Sequence, residues 1–579
     1  MIKKFKECVK GYWGYVIATP LCVIVESVLE ILIPFKMADL IDKGVDVGNL
    51  EYIKHQGLIL IGYAAVAMIA GVLGGYFASN GSAGFAKNLR REMYYNIQHF
   101  SFANIDKFST AGLVTRMTTD VTQIQQSFMM IIRGSFRGPF IMIFAFIAVF
   151  KINDKLPFAF LVAVPVIVIG LAVVIKFGIP MFQRMFRVYD KLNAVVQENV
   201  RGIRVVKAYV REEKENEKFQ NVSGELYKMS VKAERLMAFA SPVMEMAIYA
   251  VTLLVCWFGA RLVITEVMTT GQLMSMFSYV ARILTAFLMM SMLIMQITLS
   301  GASAKRIYEV LVEVPDIQNP ETPVMEVKDG SIKFENVSFA YAKGKPCLSN
   351  LNVDIKSGET VGIIGGTGCG KSSFVQLIPR LYDAIEGNVI VGGLNVKDYD
   401  MEVLRSSVAM VLQKNILFEG TLRENLAWGN KNATDEQMWD ALKLAQATEF
   451  VSRMEGGLDA DIEQGGTNVS GGQRQRLCIA RALLTSPKVL ILDDSTSAVD
   501  TATEARIREG FKTFIPDTTK IIIAQRVSSV KDADKIIVLD NGTISGIGTH
   551  DELMKSNKIY QEVYESQTKG GDFDEPTAD

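Results

Sequence analysis

Apolar residues are concentrated in the first half of the chain. Six stretches there reach the roughly 20 residues that a helix needs to cross a lipid bilayer: Gly14–Phe35, Leu58–Phe77, Phe128–Phe150, Leu156–Ile175, Pro242–Ala260 and Leu273–Leu299. Charged, helix-prone sequence separates the second stretch from the third and the fourth from the fifth. Since a helix rises about 1.5 Å per residue, each of these gaps can form an arm about 45 Å long and its return. The pattern predicts an all-α membrane domain of six helices with two long helical arms.

The charges of the arms indicate on which side of the membrane they lie. The second arm is rich in basic residues, namely Arg184, Arg187, Lys191, Arg201, Arg204, Lys207, Arg211 and Lys214, and the short connections are poorer in them. We therefore expect a multi-pass protein of the cell membrane (the inner or plasma membrane) with both arms and both termini in the cytoplasm. The arms should turn near 102–108 and 205–212, where aromatic residues among charges favour docking on another domain. A solvated helix hairpin is the alternative.

Three charged residues lie inside the predicted spans, where charge is costly and usually functional. Glu26 and Glu30 share one face of the first span, and Arg282 lies at a comparable depth in the sixth. One hypothesis places them around a central cavity that attracts a cationic or zwitterionic cargo. The other is an ion pair between helices that only fixes their packing.

The second half of the chain has the pattern of a separate α/β domain. We expect a membrane domain over residues 1–312, a proline-containing linker over 313–330, an α/β domain over 331–569 and a disordered acidic tail over 570–579. The formal net charge of −1 shows no basic excess, so no nucleic-acid partner is expected. Six scattered cysteines and only three histidines argue against a zinc site or a disulfide framework.

A phosphate-binding loop stands near the start of the α/β domain. Residues 361–373 read VGIIGGTGCGKSS, which is an apolar strand, a glycine loop and a helix start in the required order. Glycines let backbone amides surround an anion, whereas an ordinary glycine-rich turn is the alternative. Lys371 would reach the β- and γ-phosphates, and Ser372 would offer its hydroxyl to Mg²⁺. We expect ATP to contact Gly365, Gly366, Thr367, Gly368, Cys369, Gly370, Lys371, Ser372 and Ser373.

Two further motifs follow in the same domain. Residues 489–493, VLILD, form a short apolar strand that ends in a carboxylate, and Asp493 would hold Mg²⁺. Before that strand, Ser470, Gly471, Gly472 and Gln473 precede a helix. With these motifs in this order, the whole chain resembles a half-transporter of the ABC exporter (type IV) family. In that family six membrane helices are followed by one α/β ATP-binding cassette of the P-loop class.

The resemblance implies that two such chains pair head to tail. Each ATP would lie between two motifs of one chain and the signature, Ser470–Gln473, of the other. The two motifs are Walker A, the phosphate-binding loop 361–373, and Walker B, the strand 489–493. Tyr341 matches the aromatic residue that stacks on adenine, Gln413 the glutamine that senses Mg²⁺ and contacts the arms, and Asp500 the D-loop at the dimer seam. The arm tips would be coupling helices, and ATP hydrolysis would be coupled to transport across the bilayer.

The chain departs from the family pattern at two positions that serve hydrolysis. Where the family has a glutamate after the Walker B strand, this chain has Asp494, whose carboxylate reaches about 1.5 Å less far. The switch histidine is replaced by Gln525, which can hydrogen-bond phosphate but cannot become cationic. ATP binding should survive, and hydrolysis at this site should be slow. The chain thus resembles the degenerate-site subunit of a heterodimeric bacterial exporter, and a homodimer that hydrolyses slowly through Asp494 is the alternative.

Three transport functions fit these features. The first is export of small amphipathic compounds, drugs or lipids, from the cytoplasm or the inner leaflet. The second is an ATP-gated channel or ligand sensor, and the third is siderophore import on the same fold. We favour export, with a second, non-identical half-transporter as the partner.

Overall fold

The structure, a computed structural model, describes residues 1–153, 174–341, 344–494 and 499–569. They form two compact units, of which one contains Met1–Gln98 and Ala111–Val312. The other contains His99–Thr110 and Glu313–Asp579, so the short segment 99–110 groups with the α/β domain and not with the helices around it in sequence. The expected acidic tail lies outside the described residues, as does most of the expected span Leu156–Ile175.

The described residues up to 312 are helical almost throughout. Its helices are α1 Ile2–Cys8, α2 Trp13–Leu40, α3 Leu50–Gln98, α4 Phe102–Phe108, α5 Thr110–Thr115, α6 Val121–Ile152, α7 Ile179–Arg201, α8 Ile203–Ala208, α9 Glu212–Ile264 and α10 Thr270–Val312. Short π-helical turns at Ile41–Val45, Arg116–Asp120 and Val174–Gly178 adjoin some of them. Helix α3 has 49 residues and is therefore about 74 Å long, so a span and an arm form one continuous helix.

Four helical segments of the described residues are long and apolar enough to cross a membrane. They are Trp13–Val45, Leu50–Gln98, Thr110–Ile152 and Thr270–Val312. A shorter apolar segment, Ile248–Ile264, overlaps the expected fifth span inside α9. These segments agree with a membrane helical domain, and the count of six spans stays a prediction.

Polar side chains and small residues hold the spans together. The Tyr279 hydroxyl on α10 donates to the Ile31 carbonyl of α2 at 2.8 Å, and the Ser275 hydroxyl donates to the Pro34 carbonyl at 2.6 Å. A Cβ atom at Gly138 of α6 would come within 2.8 Å of the Met290 side chain on α10. Because lipid gives helices no hydrophobic reason to associate, such close contacts and hydrogen bonds stabilise their packing.

The described strands of the second unit form three sheets. The strands are β1 Ile332–Phe339, β2 Leu348–Ile355, β3 Thr360–Gly365, β4 Glu386–Val391, β5 Leu394–Asn395, β6 Val408–Val411, β7 Gly420–Thr421, β8 Asp461–Ile462, β9 Val489–Asp493, β10 Thr519–Ile523, β11 Lys535–Asp540 and β12 Thr543–Gly548. The main sheet has the order β12-β11-β3-β10-β9-β6, in which only β12 is antiparallel. A four-stranded antiparallel sheet, β2-β1-β4-β5, and the pair β7-β8 complete the set.

Helices cover the sheets of this unit. They are α11 Lys371–Gln376, α12 Met401–Ser407, α13 Leu422–Ala427, α14 Asp435–Leu444, α15 Thr448–Arg453, α16 Gly471–Leu483, α17 Thr501–Phe514, α18 His550–Ser556 and α19 Lys558–Lys569. Every residue of β9 and β10 is buried, and both strands consist mostly of isoleucine, leucine and valine. This composition is typical of parallel strands that are covered on both faces.

The register of the main sheet brings three sequence motifs to one edge. Ile523 at the end of β10 pairs with Asp493 of β9 and with Ile363 of β3, two residues before Gly365. The residues that follow these strands therefore meet at their carboxyl ends, where ligands of open α/β sheets bind.

Candidate functional site

The phosphate loop connects β3 to α11. Gly368 and Gly370 have φ angles of +83° and +100°, which favour glycine. A Cβ atom at Gly370 would lie 2.6 Å from Leu348 Cδ2, and one at Gly365 would collide with the Leu539 carbonyl oxygen. Lys371 Nζ donates to the carbonyls of Gly365 at 2.6 Å and Gly366 at 2.9 Å, so the ammonium lies over the loop.

Two side chains with oxygen atoms suited to bind Mg²⁺ lie beside this loop. The Ser372 hydroxyl donates to Asp493 Oδ1 at 3.1 Å, across 121 positions of sequence. Asp493 is only 3% exposed, and this burial, together with the charge of Asp494, raises the pKa of its carboxyl. A hydroxyl and a carboxylate are hard oxygen ligands of the kind that Mg²⁺ prefers, so these residues fit the predicted ion.

Asp494 and Gln525, the two residues that depart from the family pattern, contact each other. Gln525 Nε2 donates to Asp494 Oδ2 at 2.6 Å, and Gln413 Nε2 lies 3.4 Å from the same oxygen. Asp494 also has a φ angle of +49°, which is uncommon outside glycine, and its backbone amide donates to the Ile523 carbonyl. The structure thus brings together three residues that the sequence places far apart. Their carboxylate is engaged by neutral amides.

Tyr341 lies at the other side of the loop. Its hydroxyl is 2.9 Å from Ser373 Oγ and donates to Gln376 Oε1 at 3.1 Å, while 42% of the residue is exposed. Burial of the rest raises the pKa of this phenol. Its ring contacts Tyr382 edge to face, with 5.2 Å between centroids, which leaves part of Tyr341 open to a base.

Tyr382 links this side of the site to α4, the segment that the sequence predicts to be the tip of the first arm. Its hydroxyl donates to Asp106 Oδ2 at 2.6 Å, and its ring packs against Phe102 with 5.9 Å between centroids. Lys107 of the same helix forms a 2.7 Å ion pair with Glu313. That this segment is an arm tip stays a prediction, and nothing in the sequence indicated Tyr382, because a tyrosine after the phosphate-loop helix has no signal of its own.

The signature residues begin helix α16. The Ser470 hydroxyl accepts from the Gln473 amide, and the Gln473 side chain accepts from the Ser470 amide at 2.9 Å, which is a capping box. Gly471 and Gly472 form the first helical turn. Among the described residues, no hydrogen bond joins this signature to the phosphate loop of the same chain.

Asp500 caps helix α17. Its carboxylate accepts from the Thr503 amide at 2.9 Å, and this hydrogen bond lowers the pKa of Asp500. The connection back to the Walker B strand includes residues 495–498, which lie outside the described part of the chain.

In the membrane unit, the predicted charged residues form a network with an arginine that sequence reasoning missed. Arg137 of α6 forms two ion pairs, from Nη1 to Glu26 Oε1 at 3.0 Å and from Nη2 to Glu30 Oε1 at 2.9 Å. Arg282 Nη1 lies 3.1 Å from the other carboxylate oxygen of Glu30, Oε2. Two glutamates and two arginines neutralise each other, which favours the packing alternative for Glu26, Glu30 and Arg282. The signal for Arg137 was its position inside the third expected span, where any charge indicates a role.

The fold and these motifs together define a membrane-bound P-loop ATPase. A family model of the ABC transporter transmembrane region matches residues 16–288, and a family model of the ABC transporter matches residues 348–497. The uncharacterised ABC transporter ATP-binding protein YfiB of Bacillus subtilis is 35% identical, over 94% of both chains. The ATP-dependent lipid A-core flippase of Desulfotalea psychrophila is 32% identical, over 92% of this chain and 93% of its own.

A solved structure shows the same fold. It is that of a bacterial Atm1-family ABC exporter with ATP bound, with a TM-score of 0.81, 22% identity and coverage of 98% of this chain and 100% of its own. The relatives at 35% and 32% identity, together with the family models, show that the chain belongs to the ABC transporters, with one transmembrane region followed by one ATPase domain that is coupled to transport. The expected ABC transporter family and the expected enzyme class are confirmed.

Proposed function

We propose that this chain is one half of a heterodimeric exporter of amphipathic compounds. It would keep ATP at its own Walker site and supply Ser470–Gln473 to a competent site on a non-identical partner. The observation that carries this proposal is a complete phosphate loop beside an aspartate held by Gln525 at 2.6 Å. The similarity to a relative named as a lipid flippase supports a lipid-like cargo.

The roles of the site residues follow from their contacts. Lys371 and the glycine loop would bind the phosphates, Tyr341 the adenine, and Ser372 with Asp493 would hold Mg²⁺. The ion, when bound, neutralises phosphate charge. Asp494 would be a poor base for water because its side chain is one methylene shorter than that of glutamate. Its carboxylate also already accepts hydrogen bonds from side-chain amides.

ATP retention would then bias the transporter toward one state. Two cassettes that share ATP favour the closed arrangement, and the arms would carry that closure to the spans by population shift. Hydrolysis at the partner's site would reset the pair. In this proposal the arms, both termini and the cassette are cytoplasmic, because the basic residues of the arms favour that side.

ATPase assays on purified protein test the heterodimer. The chain alone should hydrolyse ATP weakly, and co-purification with a non-identical half-transporter, which we expect the neighbouring reading frame to encode, should give rapid hydrolysis. Ser470→Ala in this chain should then slow the partner's site, whereas Ser452→Ala, which changes an exposed side chain on helix α15, serves as the matched control. Rapid hydrolysis by this chain alone that depends on Asp494 would favour the homodimer.

Inverted membrane vesicles test the direction of transport. Uptake of an amphipathic dye that requires ATP indicates export. Flux that only follows the gradient would favour a channel instead, and loss of preloaded siderophore would favour import.

A further inference from the structure

A cavity of about 610 Å³ lies between α3, α6 and α10 of the membrane unit. Its wall is mostly apolar and includes Met130, Met289 and Met292, all exposed in this chain. Flexible thioethers adapt to apolar groups of different shapes. The cavity is also of the size that binds small organic ligands.

Two guanidinium groups, those of Arg133 and Arg137, line this cavity, and no carboxylate is among its lining residues. Arg137 belongs to the neutral network with Glu26 and Glu30. Arg133 stands outside that network. Within the described residues it has neither an ion pair nor a hydrogen bond, and its Nη1 is 3.9 Å from where a Cβ of Gly75 would lie. Among the described residues of the wall, Arg133 is therefore a positive charge without a compensating carboxylate.

A charge in apolar surroundings is costly unless an opposite charge accompanies it. An anionic group that reaches Arg133 would supply that charge, whereas a cation would be repelled. We infer that this cavity binds a single-chain amphiphile with one negative charge. The amphiphile would enter from the bilayer that surrounds the helices of the wall. The inference rests on the proposed export function and replaces the cationic or zwitterionic cargo of the hypothesis based on Glu26, Glu30 and Arg282.

Binding to the complex with its partner, in lipid nanodiscs without ATP, tests the inference directly. The probes are fluorescent lysophosphatidylglycerol, which is anionic, fluorescent lysophosphatidylcholine, which is zwitterionic, and a fluorescent dodecylammonium. The anionic probe should bind roughly tenfold or more tightly than the cationic one, as a hydrogen bond to a charged group would provide. Arg133→Met should abolish the difference, and Arg133→Lys, which keeps the charge, should retain most of it.

Arg261→Met is the matched control, since Arg261 stacks on Trp257 at 5.2 Å and is not among the lining residues. It should leave the preference unchanged. Equal binding of the three probes, binding of none, or a preference that survives Arg133→Met would overturn the inference. ATP-driven movement of the probes in vesicles is a separate measurement. Its failure, with the binding preference intact, would count against export and not against the anionic cavity.

Discussion

Replacing Asp494 by glutamate and Gln525 by histidine in the same chain should convert its ATP-retaining site into one that hydrolyses ATP. Both changes are needed because the two side chains are in contact, with 2.6 Å between Gln525 Nε2 and Asp494 Oδ2. A longer carboxylate alone would press against the glutamine. Histidine can also become cationic near the γ-phosphate, which an amide cannot.

The expected gain follows from geometry. One methylene advances the carboxylate by about 1.5 Å, and a misplacement of about 1 Å costs up to about 10²-fold in rate. We therefore expect phosphate release from this chain's site to rise by up to about 10²-fold. The glutamate alone should give a smaller gain.

The assay needs a complex in which the partner's own Walker B glutamate is changed to glutamine, so that only this chain's site is measured. Phosphate release is followed under single-turnover conditions. Asp494→Asn is the matched control and should leave the slow rate nearly unchanged. The reasoning is refuted if Asp494→Asn abolishes most of the wild-type rate, or if the double variant binds ATP normally but remains slow.

Lys371→Met should weaken ATP binding roughly tenfold or more, since it removes a charge-assisted contact to phosphate; unchanged affinity for labelled ATP contradicts this role. Asp493→Asn should leave the thermal midpoint of the ATP-free chain unchanged or raise it, and should remove the extra stabilisation that Mg²⁺ adds to ATP in calorimetry. The sign follows because burial raises the pKa of Asp493 in the folded state, so the free energy of unfolding falls as pH rises through that raised value; a lower midpoint would oppose it. Tyr382→Phe removes the 2.6 Å hydrogen bond to Asp106 and should cost about 1 kcal/mol of docking, which is a roughly fivefold rise in hydrogen exchange over α4; unchanged exchange would show that the bond does not hold the tip.

Long-range contacts explain what sequence reasoning missed. Arg137 reaches Glu30 across 107 positions, and Tyr382 reaches Asp106 across 276. Neither pair follows from a periodicity or a spacing, because each depends on how distant helices and strands pack. The sequence indicated that Glu26 and Glu30 share a helix face, but not that an arginine neutralises them.

The sequence by itself determined the class of this protein, because its chemistry is local: the glycine loop, Lys371 and Ser372 are adjacent, and an apolar run of bilayer length identifies a span wherever it occurs. Tertiary structure alone decided which charges are compensated. It joins Asp494 to Gln525 and cancels Glu26 and Glu30, while Arg133 is left facing the cavity. Electrostatic balance depends on distances between atoms in space, and these are set by packing and not by order along the chain.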